Sequence, residues 1–258
     1  MKRWGLVLLV LTMVAMFGGC DTKVNGVSVG DILEKSHQVS SDLNSMHLSM
    51  VIDQDIKMGE EDPMKTQTIV EADIIIEPLS MYQIITNEEA SFNTEMYVTE
   101  DGIYTMDESG QWLVLSPSYS EVVRSAQSQA NVTEVLGNLQ DFVEDISLKE
   151  TESSYLLHVD ASDEKFSEVI NEQLMATLQE EDSETLENIS VKTLKYSFTI
   201  EKDTYLTKEF KIEMDFAMSM MGQSLEFESN LTGAVSNFNE VSEIIVPDEV
   251  KQKAIPIK

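Results

Sequence analysis

A single cysteine and three histidines in 258 residues exclude an intramolecular disulfide and a Cys-rich zinc cage. Basic residues are scarce too: 17 Lys and Arg stand against 47 Asp and Glu, a formal net charge of −30. Nucleic-acid binding needs cations that displace counterions from phosphates, so a sequence pI near 4.2 excludes that class over any sizeable surface. Motifs of catalysis are missing as well: the chain has no H-E-x-x-H, no G-x-S-x-G and no phosphate-binding loop. His37 falls in a helical stretch, and His47 and His158 fall on the polar phase of strands, so all three read as solvated side chains. The expectation is a non-enzymatic protein without cofactor or metal. Dense acidic runs at Glu60-Glu61-Asp62 and Glu180-Glu181-Asp182 lack the alternating ligands and central glycine of a calcium loop and read as solvated loops. What is present is apolar content: 42% of residues are hydrophobic, enough to offset the ordering entropy and form one or two compact domains despite the charge.

Lys2 and Arg3 precede an uncharged run from Trp4 to Phe17, which closes on Gly18, Gly19 and Cys20. A positive start, a short apolar middle and small residues at the end make a secretory signal over residues 1–19. The apolar stretch is shorter than the roughly 20 residues of a spanning helix. Phe17-Gly18-Gly19-Cys20 resembles a bacterial lipobox, with Phe where Leu is usual. That likeness implies a diacylglyceryl thioether on Cys20, with palmitate-type chains, and Cys20 as the new N-terminus. Two other readings stay open: cleavage nearby with Cys20 a free thiol, or an uncleaved anchor. More than one acyl chain gives lasting attachment. Loss of Lys2 and Arg3 leaves 15 basic against 47 acidic residues, a net of −32, so the body is repelled by anionic head groups. Residues 20–30, with Asn25-Gly26 and Gly30, read as a lipidated tether, and 31–258 as one domain.

Asp31 is placed to cap a helix over 31–43 with Ile32, Leu33 and Val39 on one side. The period then changes to two. Met46, Leu48, Met50 and Ile52 alternate with polar residues, and after a break at Gln54 the phase continues through Ile56 and Met58. Further strands are expected over 65–77, 81–87, 92–100, 103–106 and 112–115, with Asp101-Gly102 as a two-residue turn. Apolar residues at spacings of three and four predict helices over 117–145, and a hairpin follows over 145–151 and 155–161. Ser162 and Asp163 open another helix carrying Phe166, Val169, Ile170, Leu174 and Leu178. Three long strands close the chain over 189–202, 205–219 and 224–235, before a short helix from Pro247-Asp248. The expected fold is therefore α+β: a curled antiparallel half-barrel of about eleven strands, with helices covering the concave face and a lid around 117–145.

Methionine is abundant, 15 in all, and Met46, Met50, Met214 and Met218 share the inward phase with Phe198, Phe210, Phe216 and Phe227. Flexible thioethers suit a wall that adapts to a variable apolar ligand, and they equally fill an irregular closed core. On the first reading the ligand cavity is lined by Met50, Ile52, Ile74, Ile84, Tyr196, Phe198, Phe210, Met214, Phe216 and Phe227.

This arrangement resembles the lipoprotein-carrier superfamily, LolA and LolB of Gram-negative bacteria and the mycobacterial LppX/LprG group. Tyr97-Val98-Thr99-Glu100-Asp101-Gly102-Ile103-Tyr104, Gln111-Trp112, Asn237-Phe238-Asn239-Glu240-Val241 and Ile244-Ile245-Val246-Pro247-Asp248-Glu249-Val250 are similar to Firmicutes lipoproteins placed near that superfamily. The resemblance implies acyl-chain binding between sheet and lid and carries over no ligand-contacting residue. It points to a lipoprotein on the outer face of a Gram-positive cell membrane, anchored through acylated Cys20 and holding a lipid or other apolar ligand. The alternative is a non-enzymatic interaction module for a membrane-protein or cell-wall partner.

Overall fold

The structure, a computed structural model, describes residues 23–257 except 25, 88, 90–91, 116–145, 162–185 and 221–222. Cys20, the signal segment, the lid expected around 117–145 and the helix expected from Ser162 lie outside the described residues.

A small hairpin of β1 (Lys23–Val24) and β2 (Val27–Ser28) leads into helix α1 (Val29–Ser41). The segment read as a tether therefore contains this hairpin and the first turn of α1, where Gly30 sits. Ser28 is the cap: its hydroxyl accepts from the Asp31 amide at 3.1 Å, while the Asp31 carboxylate accepts from the Ser28 amide at 3.4 Å. This reciprocal box satisfies two orphan donors and starts the helix two residues ahead of the expected position, with Asp31 on its third residue instead of at the cap.

Two antiparallel meanders follow. The first is β3 (Ser45–Met58), β4 (Met64–Ile75), β5 (Ser80–Asn87), β6 (Phe92–Thr99), β7 (Gly102–Met106) and β8 (Trp112–Leu115). The second is β9 (Ile146–Glu150), β10 (Ser154–Asp160), β11 (Leu186–Glu201), β12 (Thr207–Met220) and β13 (Gln223–Ser236). Helix α2 (Asp248–Lys253) and β14 (Ile255–Pro256) end the chain. The first long strand pairs with the last, β3 with β13, and this joins the meanders into one sheet of order β14-β8-β7-β6-β5-β4-β3-β13-β12-β11-β10-β9. β14 lies parallel to β8. The turn between β6 and β7 is Glu100-Asp101, since Thr99 pairs with Gly102. Gly102 has φ +148°, and a Cβ there would stand 3.1 Å from the Leu115 carbonyl, so glycine is required.

Residues paired across strands point to the same face of a sheet. At one end of one face, α1 sets Val29, Ile32 and Leu33 against a core that includes Met46, Leu48, Ile74, Met81, Val98 and Ile103. The same cluster continues through Leu194, Phe198, Ile200 and Phe210 to Leu157 and Ile146 near the β9 edge. A smaller cluster lies on the opposite face, where Tyr97, Tyr104 and Trp112 pack under Val246 and Val250 of the C-terminal segment.

The expected α+β half-barrel with helices over its concave face is corrected by this arrangement. Strands dominate the described residues, which hold one open sheet of 12 strands and two short helices. At 1.5 Å per residue the 13 residues of α1 span roughly 20 Å, whereas a 14-residue strand spans about 46 Å. The helix therefore covers one end of the long strands and leaves the remainder uncovered by any described helix.

Candidate ligand-binding face

The part of this face that no described helix covers is built chiefly by four strands. On the face that α1 partly covers, β3 and β4 contribute their even-numbered residues, β12 its even-numbered residues from Phe210, and β13 its odd-numbered ones. Cross-strand rows run Ile52, Leu231, Ile212; then Ile56, Phe227, Phe216; then Met58, Leu225, Met218. No Asp, Glu, Lys, Arg or His occupies this face along these four strands. Methionines recur on it: Met46 and Met50, Met58 and Met64, Met214 and Met218.

Burial falls along the strands. Ile74 is 1% exposed and Leu48 3%, Met50 and Ile52 are half-buried, and at the far end Met58 and Met64 are 40% and 59% exposed. The Phe216 and Phe227 rings stand 4.7 Å apart and tilted, both half-buried. Tyr196 and Phe198 are stacked at 6.4 Å. Loss of water around the Tyr196 phenol raises its pKa above the usual value.

The residues expected to line a cavity divide into three groups. Ile74, Phe198 and Phe210 are buried in the core beneath α1 and its neighbours. Met50, Ile52, Tyr196, Met214, Phe216 and Phe227 are half-buried along the same face. Ile84 is not with them: it pairs with Glu71 and Glu95, which places it on the opposite face, while Ile85 pairs with Val70. Ile56, Met58, Met64, Met218 and Leu225 belong to the open part and were absent from the expected set. For Ile56 and Met58 the signal was the continued alternation beyond Gln54, and for Met218 the inward phase it shares with Phe216.

A family model described as a family of unknown function (DUF6612) matches residues 28–255, which takes in every strand of the main sheet except the last residue of β14. The chain belongs to that family. No curated protein matches the sequence. Among solved structures, it is similar to a LolA superfamily protein from Nitrosomonas europaea at 11% identity, TM-score 0.24, over 87% of this chain and 97% of that one. A DUF1329 family protein from Desulfovibrio piger is similar at 12% identity, TM-score 0.25, over 84% and 93%. A Vibrio parahaemolyticus domain described as belonging to an outer membrane lipoprotein-sorting protein is similar at 9% identity, TM-score 0.24, over 82% and 95%. A LolA superfamily protein, of the superfamily whose resemblance was read in the sequence, thus stands among the structures to which the chain is similar. TM-scores near 0.25 leave the functional reading to rest on this chain's own residues.

Away from its aromatic cluster, the opposite face of this DUF6612 member is mostly polar along the long strands. His47, expected as a solvated side chain, is held on both ring nitrogens: Nδ1 is 2.7 Å from Asp73 and Nε2 3.0 Å from Glu71. Glu71 also accepts from the Ser49 hydroxyl at 2.8 Å. Partial burial pulls the imidazole pKa down, but hydrogen bonds and charge from Asp73 and Glu71 outweigh this and raise it. His158 Nδ1 is 3.0 Å from the Ser197 hydroxyl. An open groove of about 370 Å³ crosses this face, lined by Ser49, Val51, Ser197, Thr199, Glu209, Lys211, Thr232 and Ala234, with Gly233 and Phe210 at its floor. Among the described residues no group of three or more His, Cys, Asp or Glu is placed to hold a metal ion. No described helix is long and apolar enough to cross a membrane.

Proposed function

We propose that this protein is an extracytoplasmic lipoprotein, anchored through acylated Cys20, that holds the acyl chain of a lipid non-covalently and catalyses no reaction. The observation that carries the reading is the uncharged, methionine-rich face of β3, β4, β12 and β13, which passes from closed core at Leu48 to open surface at Met58 and Met64. A closed core would bury such residues throughout, whereas most of these stay partly exposed and Met58 and Met64 are open. Flexible thioethers accept chains of differing shape. Each methylene that the face removes from water contributes up to about 0.8 kcal/mol, so even partial cover of a long chain supplies useful affinity. Native mass spectrometry of the protein isolated from its membranes should find a bound lipid, and Phe227→Asp, which puts a charge in the half-buried row, should remove it. Absence of any adduct from the unsubstituted protein would sink the proposal.

A second reading, an interaction module, draws on the polar groove opposite. Hydroxyls from Ser49, Ser197, Thr199 and Thr232, with Glu209 and Lys211, offer donors and acceptors to a hydrophilic membrane-protein or cell-wall partner. Cross-linking from Thr232 in cells discriminates, since a lipid carrier alone yields no stable protein neighbour there.

A further inference from the structure

We infer that the amphiphile held on the open face has an uncharged, hydrogen-bonding head, as an acylglycerol has, and that anionic amphiphiles are rejected. The inference rests on the lipid reading above and narrows the class of ligand. Its first ground is the absence of any cation on this face of β3, β4, β12 and β13. A carboxylate or phosphate head seated there would lose water and gain no opposite charge from these four strands, which is costly in a partly dehydrated site. The second ground is the charge surrounding the face. At its open end the turn from β3 to β4 carries Glu60, Glu61 and Asp62, all exposed, within a chain of net charge −30. An anionic head left at the rim instead of on the face meets repulsion, with a screening length of roughly 8 Å at physiological salt.

The third ground is what breaks the apolar pattern. Gln54 is flanked across the strands by Thr66 on one side and Ser229 on the other, so amide and hydroxyl groups cross the face between the Ile52 row and the Ile56 row. Such groups hydrogen-bond to esters and hydroxyls and carry no charge. An acyl chain lying along the open methionines toward Met58 sets its head group at this belt beside the half-buried Gln54 and Thr66, with Ser229 buried behind them and no charged side chain of these four strands to pair.

The test compares two ligands with the same twelve-carbon chain, monolaurin and laurate, each below its aggregation limit at pH 8. The protein is the chain from Cys20 onward, which retains every described element, with Cys20→Ser so that no lipid is attached. Monolaurin is expected to bind about tenfold more tightly than laurate, with the gap narrowing at high salt. Gln54→Lys should close or reverse the gap by supplying the missing cation, and Thr66→Lys, at its partner across the strands, should do so independently. Equal binding of both ligands, or a ratio unmoved by either lysine, overturns the head-group assignment while leaving lipid binding standing. Binding of neither ligand overturns the lipid reading together with this one.

Discussion

Gly233 shows how tightly the closed part of the face is built. A Cβ at this position would come within 2.2 Å of the Phe210 ring, itself buried on the neighbouring strand. The ring edge fills the space a side chain at 233 would take. Gly233→Ala should therefore destabilise the protein by about 1–3 kcal/mol in chemical denaturation, through overpacking and not through loss of a contact. His47 is the other residue whose surroundings set a measurable property. Its pKa in the folded state lies above the unfolded value near 6.5, so the stability it contributes is fully present below that value and is lost as pH rises through the folded pKa. Replacement by glutamine should cost more at pH 5.5 than at pH 9, where the neutral ring faces Asp73 and Glu71 without a charge. An equal cost at both values would show that the imidazolium is not what those carboxylates hold.

At the scale of elements, the strands were legible because each long one alternates cleanly: β3, β12 and β13 carry apolar residues every second position for most of their length. The expected strands over 65–77, 81–87 and 224–235 correspond to β4, β5 and β13 with ends shifted by a few residues. Phase failed where two adjacent apolar residues compete. Ile84 and Ile85 fit either face of β5, and only the pairing with Glu71 and Glu95 decides which turns inward. Register irregularities in β11 between Glu187 and Ser190 and between Val191 and Thr193 likewise have no mark in local composition. Strand order is a long-range property, so neither the pairing of β3 with β13 nor the two-residue β14 beside β8 could be read from periodicity. Apolar spacings of three and four describe a helix's face without saying what that face covers, so the expected cover of the concave face by helices had no footing in them.

The C-terminal segment shows what an element contributes beyond its length. Helix α2 is only 6 residues long, yet its Val250 is buried against Tyr97, Tyr104 and Trp112, and Lys251 pairs with Asp101 at 3.1 Å. Gln111 donates to the Lys253 carbonyl at 2.9 Å, and β14 then covers the β8 edge. Burial raises the pKa of Tyr82 and Tyr97, whose rings stack at 4.6 Å in the same cluster beside Glu95. Val250→Asp should cost about 3 kcal/mol or more, since the new carboxylate would be buried among aromatic rings with no cation to pair. The loss should appear in thermal unfolding and in faster amide exchange at β8.

For the molecule as a whole, two features act together: a strongly acidic surface and one face kept free of charge. The acidic surface favours a dispersed body and repels anionic membranes within a screening length. The uncharged face would be a liability on such a protein unless it is occupied, because exposed apolar rows of this length invite association. The sequence carried half of this contrast, the charge balance and the methionine phase; which end of the strands stays open depends on where α1 lies and had no local signature. The most direct measurement is methyl NMR of the methionine-labelled protein titrated with monolaurin. The account predicts that Met50, Met58, Met64, Met214 and Met218 shift together while Met106, packed on the opposite face, stays fixed; unmoved face methionines, or equal movement at Met106, would contradict it.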